Sequence, residues 1–196
     1  MYLILELLGT VAFAISGATV GAMAHMDILG IVVLGLTTSV GGGIIRDLLI
    51  GVVPPVAFQQ PVYALVAIAV SLLVFIPRIR SRINTNGVLL NLIDAIGLGV
   101  FTVTGVKSGF AFHNPFLQIF LGVVTGVGGG VLRDIFAMQK PMIFVRHFYA
   151  IASLLGAVCC LILLPVSENA AMISGISLIV VLRILAARFR WHLPKA

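Results

Sequence analysis

Apolar positions along this chain do not alternate with polar ones; they run on. Stretches such as IAVSLLVFI and LLGAVCCLILL show no period of two and no charged helical stripe. They fit neither a half-buried strand nor the surface helix of a water-soluble domain. A helix needs about 20 such residues to cross a bilayer core, and seven stretches qualify: residues 3–24, 28–50, 62–77, 88–112, 116–138, 148–165 and 170–187. A lipid-facing barrel would need segments of about ten alternating residues instead. The pattern predicts an all-α integral membrane protein with seven transmembrane helices. The first stretch reads as a retained helix, because it lacks the basic start of a signal peptide and takes part in the repeat described below.

Composition agrees. Of the residues, 61% are hydrophobic and 9% charged, whereas soluble domains carry about 25% charged residues. The net charge of +6 would suit nucleic acid, but its placement points to a membrane. Arg78, Arg80 and Arg82 follow the third stretch, Lys140 and Arg146 the fifth, and Arg188, Arg190 and Lys195 fill the tail. The links on the opposite face, GVVPPVAFQQ, FHNP and PVSEN, have no Lys or Arg. By the positive-inside rule the C-terminus is cytoplasmic and the N-terminus outside. Cys159 and Cys160 are adjacent, about 100° apart on a helix and so poorly placed to bridge each other; they read as small buried residues.

The chain is also written twice. ELLGTVAFAISGATVGAMAH aligns with DAIGLGVFTVTGVKSGFAFH, which pairs Glu6 with Asp94, Gly9 with Gly97, Phe13 with Phe101, and Gly17, Gly21 and His25 with Gly105, Gly109 and His113. One residue is then dropped, and LGLTTSVGGGIIRD aligns with LGVVTGVGGGVLRD; thinner matches pair Pro54 with Pro141 and Tyr63 with Tyr149. Three helices per half is an odd number, so the halves must be inverted, an arrangement that places a pathway at their interface near the bilayer midplane. The expected divisions are a first three-helix repeat with a glycine-kinked second helix (1–80), a cytoplasmic basic link (81–87), a second, inverted repeat with a glycine-kinked fifth helix (88–166), and a seventh helix with a basic tail (167–196).

Two features of the repeat are costly. Gly41, Gly42 and Gly43, and Gly128, Gly129 and Gly130, each weaken a helical turn by a few kcal/mol, at about 1 kcal/mol per glycine. Either a neighbouring helix packs on the bare backbone, or the helix kinks or breaks toward a cavity; three adjacent glycines, more than one packing stripe requires, favour the kink or break. Each triplet is followed by an Arg-Asp pair, Arg46 with Asp47 and Arg133 with Asp134. A charge deep in a bilayer costs roughly 3 kcal/mol and normally faces a cavity or a partner. Inverted topology brings Glu6 to the level of Arg46 and Asp94 to that of Arg133, which predicts an Arg46–Glu6 contact and a symmetric Arg133–Asp94 contact. The competing reading is that these charges only staple helices, with Asp47 and Asp134 at headgroup level. Lys107 stands where the first half has Thr19; it either snorkels outward or acts as a mobile gating cation in the pathway. Thr37, Thr38, Ser39 and Thr125 offer hydroxyls that could line a cation path. No enzyme motif is present: there is no phosphate-binding glycine loop, no His pair at metal spacing and no Ser-His-Asp set. His25 and His113 read as interfacial residues at span ends.

The paired GGGIIRD and GGGVLRD motifs within inverted three-span halves resemble the prokaryotic TRIC family, the trimeric intracellular cation channels, over essentially the whole chain. The resemblance implies a homotrimer in the plasma (inner) membrane, with a pore in each protomer that passes monovalent cations, chiefly K+. The second and fifth helices would line that pore, kinked at Gly41–Gly43 and Gly128–Gly130, with Arg46, Asp47, Arg133 and Asp134 beside the kinks. It implies no enzyme activity, no cofactor beyond permeant K+ or Na+, no nucleic acid, and membrane lipids as the surroundings. The same family is also described as a glycine transporter, and an inverted repeat with broken helices would suit alternating access too. A purely structural membrane protein is a third reading.

Overall fold

The computed structural model describes residues 2–84, 87–145, 148–189 and 191. Seven helices carry the apolar runs: α1 Tyr2–Met23, α2 Ile28–Leu49, α3 Val62–Phe75, α4 Val88–Ser108, α5 Pro115–Phe136, α6 Tyr149–Leu163 and α7 Glu168–Phe189. Five of them, α1, α2, α4, α5 and α7, are long and apolar enough to cross a bilayer alone. The third helix of each half is shorter than its apolar run suggests, with 14 residues in α3 and 15 in α6. In α3 the cause is local. A proline disfavours helical backbone in the residue before it, and Ile76 before Pro77 is extended (φ −65°, ψ 121°). The chain turns by 93° and resumes as a short helix, Pro77–Asn84, that carries Arg78, Arg80 and Arg82. Its Ile83 packs back beside Ala18, Ile31 and Val74. Arg146, Arg190 and Lys195, which also entered the orientation argument, lie outside the described residues.

Helix ends repeat between the halves. Asp27 caps α2 by accepting from the Gly30 amide (2.7 Å), and Asn114 caps α5 by accepting from the Leu117 amide (3.1 Å), the role for which short polar side chains are favoured. At the far ends, the amides of Gly51 and Val52 donate to the carbonyls of Leu48 and Asp47, and those of Met138 and Gln139 to Ile135 and Asp134. This is the Schellman arrangement, with Gly51 (φ 76°) and Met138 (φ 55°) left-handed. His25 (φ 58°) and His113 (φ 50°) are left-handed too, each at the turn leaving the first helix of its half.

Packing follows the same reciprocity. At the centre α2 lies on α5 and α1 on α4; α3 leans on α1 and α2 as α6 leans on α4 and α5; α7, outside the repeat, packs on α4 and α6. Phe13 of α1 covers Gly97 of α4 while Phe101 of α4 covers Gly9 of α1, and the two rings sit 5.1 Å apart. Gly17 meets Leu34 and Thr38, and Gly105 meets Leu121 and Thr125. These glycines act as close-packing positions between helices.

Candidate functional site

The glycine triplets face one another where α2 crosses α5. A Cβ on Gly42 would collide with the carbonyl oxygen of Thr125, and one on Gly129 with that of Thr38. A Cβ on Gly128 would stand 3.2 Å from the Gly42 Cα, and one on Gly41 2.5 Å from Leu132 Cδ1. Of the expected kink or break, the break is absent, since α-helix runs unbroken through both triplets. Physically, an unwound turn would strand amides and carbonyls against the facing helix, whereas a missing Cβ lets two intact backbones touch. Thr38 and Thr125 serve this crossing. Both are buried, and their hydroxyls donate back to Leu34 and Leu121 at 2.6 Å, the common use of a mid-helix threonine.

Each end of the crossing carries a charged cluster. At one end, Arg46 donates to Asp47 Oδ1 from Nε (2.9 Å) with Nη2 in ion-pair contact with the same oxygen (2.8 Å), and Asp47 Oδ2 accepts from the Val56 amide at 2.8 Å. Asp47 thus ties the end of α2 to the short helix Val56–Gln59, instead of standing free among headgroups. Glu6 accepts a hydrogen bond from the Tyr63 hydroxyl at 2.5 Å. The expected Arg46–Glu6 ion pair is not formed: Glu6 is bonded by Tyr63 and Arg46 by Asp47, and no Arg46–Glu6 bridge lies within 4.0 Å. The two residues instead share the wall of a cavity of about 40 Å³, together with Thr10, Ser39, Gly43 and Tyr63, large enough for water.

At the other end the second Arg-Asp pair repeats the local geometry. Arg133 donates to Asp134 Oδ1 from Nε at 2.8 Å, with Nη2 in ion-pair contact with the same oxygen at 2.8 Å, and Asp134 Oδ2 accepts from the Met142 amide at 2.7 Å. Here the predicted cross-helix contact exists, with Arg133 Nη1 2.5 Å from Asp94 Oδ1 and 2.6 Å from Ser16 Oγ. The Arg133 side chain is completely buried. Tyr149, the counterpart of Tyr63, has no hydrogen bond from its hydroxyl. That hydroxyl stands 2.8 Å from where a Gly130 Cβ would be, whereas at Gly43 the nearest atom is Arg46 Nη2 at 3.8 Å. Over the Tyr149 ring lies Arg183 of α7, with its guanidinium carbon 4.7 Å from the ring centre.

Lys107 pairs with Glu168 at the start of α7, beside Phe110 and Leu164, and does not line the cavity at Glu6. Sequence reasoning missed Ser16 and Arg183, and found Tyr63 and Tyr149 only as a matched pair. Arg183 carried a signal, a lone charge inside the last apolar run; Ser16 carried none.

The comparisons with known proteins follow this geometry. The family described as "Glycine transporter" matches residues 3–78 and 91–165, most of both halves. The UPF0126 inner membrane protein YadS of Escherichia coli is 36% identical over 191 residues, covering 96% of this chain and 92% of YadS. A structure described as the structural basis for conductance through TRIC cation channels superposes with a TM-score of 0.88 at 39% identity, over 98% of this chain and 96% of that one. The TRIC orthologue from Rhodobacter sphaeroides gives a TM-score of 0.90 at 32% identity, over 97% and 98%. An all-helical fold, a duplicated glycine crossing and full-length likeness coincide, and the chain belongs to the TRIC family, the family also described as glycine transporters.

Proposed function

We propose that the chain is a cation channel of the inner membrane, permeable to K+, with one pathway per protomer of a homotrimer. The observation that carries this is the full-length likeness to solved TRIC cation channels. Support also comes from the α2–α5 crossing, whose two ends carry buried charge that a purely structural contact would not need. In this reading α2 and α5 line the path. Because Gly42 and Gly129 rest against backbone carbonyls across the crossing, conduction requires the two helices to part there. The end holding Asp94 is taken as cytoplasmic, since Arg78, Arg80, Arg82, Lys140 and Arg188 gather on that side. Glu6 then marks the outer mouth.

Purified protein in a planar bilayer under a KCl gradient tests the proposal. Unitary current steps, with a reversal potential on the K+ side of zero, are expected. The second reading, glycine transport, is favoured by the family's description. It requires saturable glycine uptake into liposomes with no unitary steps, and that outcome would overturn the channel.

A further inference from the structure

The two ends of the crossing are matched in sequence but not in charge. Lining the cavity at the Glu6 end are two carboxylates, Glu6 and Asp47, and one guanidinium, Arg46. Asp47 and Arg46 neutralise each other. Glu6, only 8% exposed, is left with a hydrogen bond from Tyr63 to Oε2 and no cationic partner among the described residues. At the opposite end, Arg133 joins Asp94 and Asp134, and a second guanidinium, that of Arg183, lies over the neighbouring Tyr149 ring. The helix that lies outside the repeat therefore supplies one positive charge at one end and none at the other. A buried carboxylate without a counter-charge is costly.

We infer that the cavity beside Glu6 is a binding site for a single monovalent cation, which completes at this end the charge balance that Arg183 provides at the other. The chemistry suits a weakly hydrated alkali ion. Among the described residues the Glu6 carboxylate accepts a hydrogen bond only at Oε2, and the hydroxyl-bearing residues Thr10, Ser39 and Tyr63 line the same cavity. Carboxylate and hydroxyl oxygens are hard ligands of the kind that replace part of an ion's hydration shell, and about 40 Å³ accommodates one small ion with water. Tyr63 is a positioning residue: its hydrogen bond holds the carboxylate toward α3, clear of Arg46. The inference takes from the proposed function only that the relevant solute is a monovalent cation.

The test is equilibrium binding, read without current. The detergent-purified full-length protein is heated in KCl and in N-methylglucamine chloride of equal ionic strength, across a range of K+ concentrations. A ligand that binds the folded state raises the thermal midpoint with concentration. The wild type is expected to show a saturable rise specific to K+, and Glu6→Gln to raise the half-saturating concentration about tenfold or more. Tyr63→Phe, which keeps the carboxylate but removes the hydrogen bond that positions it, is expected to raise the half-saturating concentration about threefold or more, and it reads the site even where Glu6→Gln cannot be purified. A K+ response absent from the wild type, or unchanged in Glu6→Gln or Tyr63→Phe, overturns the site. Failure of the channel reading looks different, with the K+ response intact and no unitary currents.

Discussion

Where one half has Glu6 and the other Asp94, the side chains differ by one methylene, about 1.5 Å of reach. The longer acid meets Tyr63, and the shorter one meets Arg133, leaving Tyr149 with no acceptor. Matched tyrosines should therefore respond differently to losing their hydroxyls. Tyr63→Phe removes a hydrogen bond to a carboxylate and should cost about 1–2 kcal/mol. Tyr149→Phe removes an unpartnered buried hydroxyl and should change stability by less than about 0.5 kcal/mol, or improve it. Thermal unfolding of the two variants side by side measures the difference, and equal losses would contradict the assigned bonding. The same scale shows what could be read in advance. The Arg133–Asp94 contact follows from inverted alignment alone, because topology sets the level of each residue in the membrane. The Arg46–Glu6 ion pair is not formed although Arg133 reaches Asp94 past an equally adjacent aspartate; Glu6 instead takes the Tyr63 hydroxyl, and sequence does not rank a tyrosine against an arginine within reach of one acid.

At the scale of the helix, the missing Cβ of glycine permits both unwinding and close approach, and sequence does not say which neighbour is near. That is why the triplets suggested a break and proved to be a crossing. Position within each triplet now matters. Gly42→Ala and Gly129→Ala would drive a methyl into a backbone carbonyl of the facing helix, an overpacking expected to cost about 2–3 kcal/mol each. Gly43→Ala meets nothing closer than 3.8 Å and gains helix propensity of about 1 kcal/mol. Thermal midpoints of the three variants should fall, fall and hold or rise. The helix ends offer a second check. Met138 occupies with φ 55° the place that Gly51 fills in the first half, and a left-handed conformation costs a residue with a Cβ about 1 kcal/mol. Met138→Gly should therefore raise the midpoint despite the entropy glycine brings; a clear fall would show that the thioether, 93% exposed, contributes more than the backbone strain takes away. The seven helices themselves were legible from apolar runs. The shortness of α3 and α6 was not, because apolar sequence continues past the point where a proline or a capping turn ends the helix.

For the whole molecule, the inverted repeat sets two equivalent ends and the unpaired α7 makes them unequal. Only the duplication was legible beforehand. The inequality depends on where a helix outside the repeat docks, which is a matter of long-range packing against α4 and α6. Arg183 is the residue through which α7 acts on the crossing. With it, the Asp94 end balances two carboxylates against two guanidiniums; without it, that end carries the single excess negative charge found beside Glu6. Arg183→Gln keeps the length and some polarity of the side chain but removes the charge. In the channel reading it should raise single-channel K+ conductance by roughly twofold or more at low ionic strength, because an uncompensated carboxylate concentrates cations at a mouth. The gain should shrink toward about 1 M KCl, where the screening length falls to about 3 Å. Conductance recorded over that salt range checks both parts. An increase that persists at high salt would mean that Arg183 acts by holding Tyr149 in place, with its charge secondary. No change at any salt would leave α7 with packing alone.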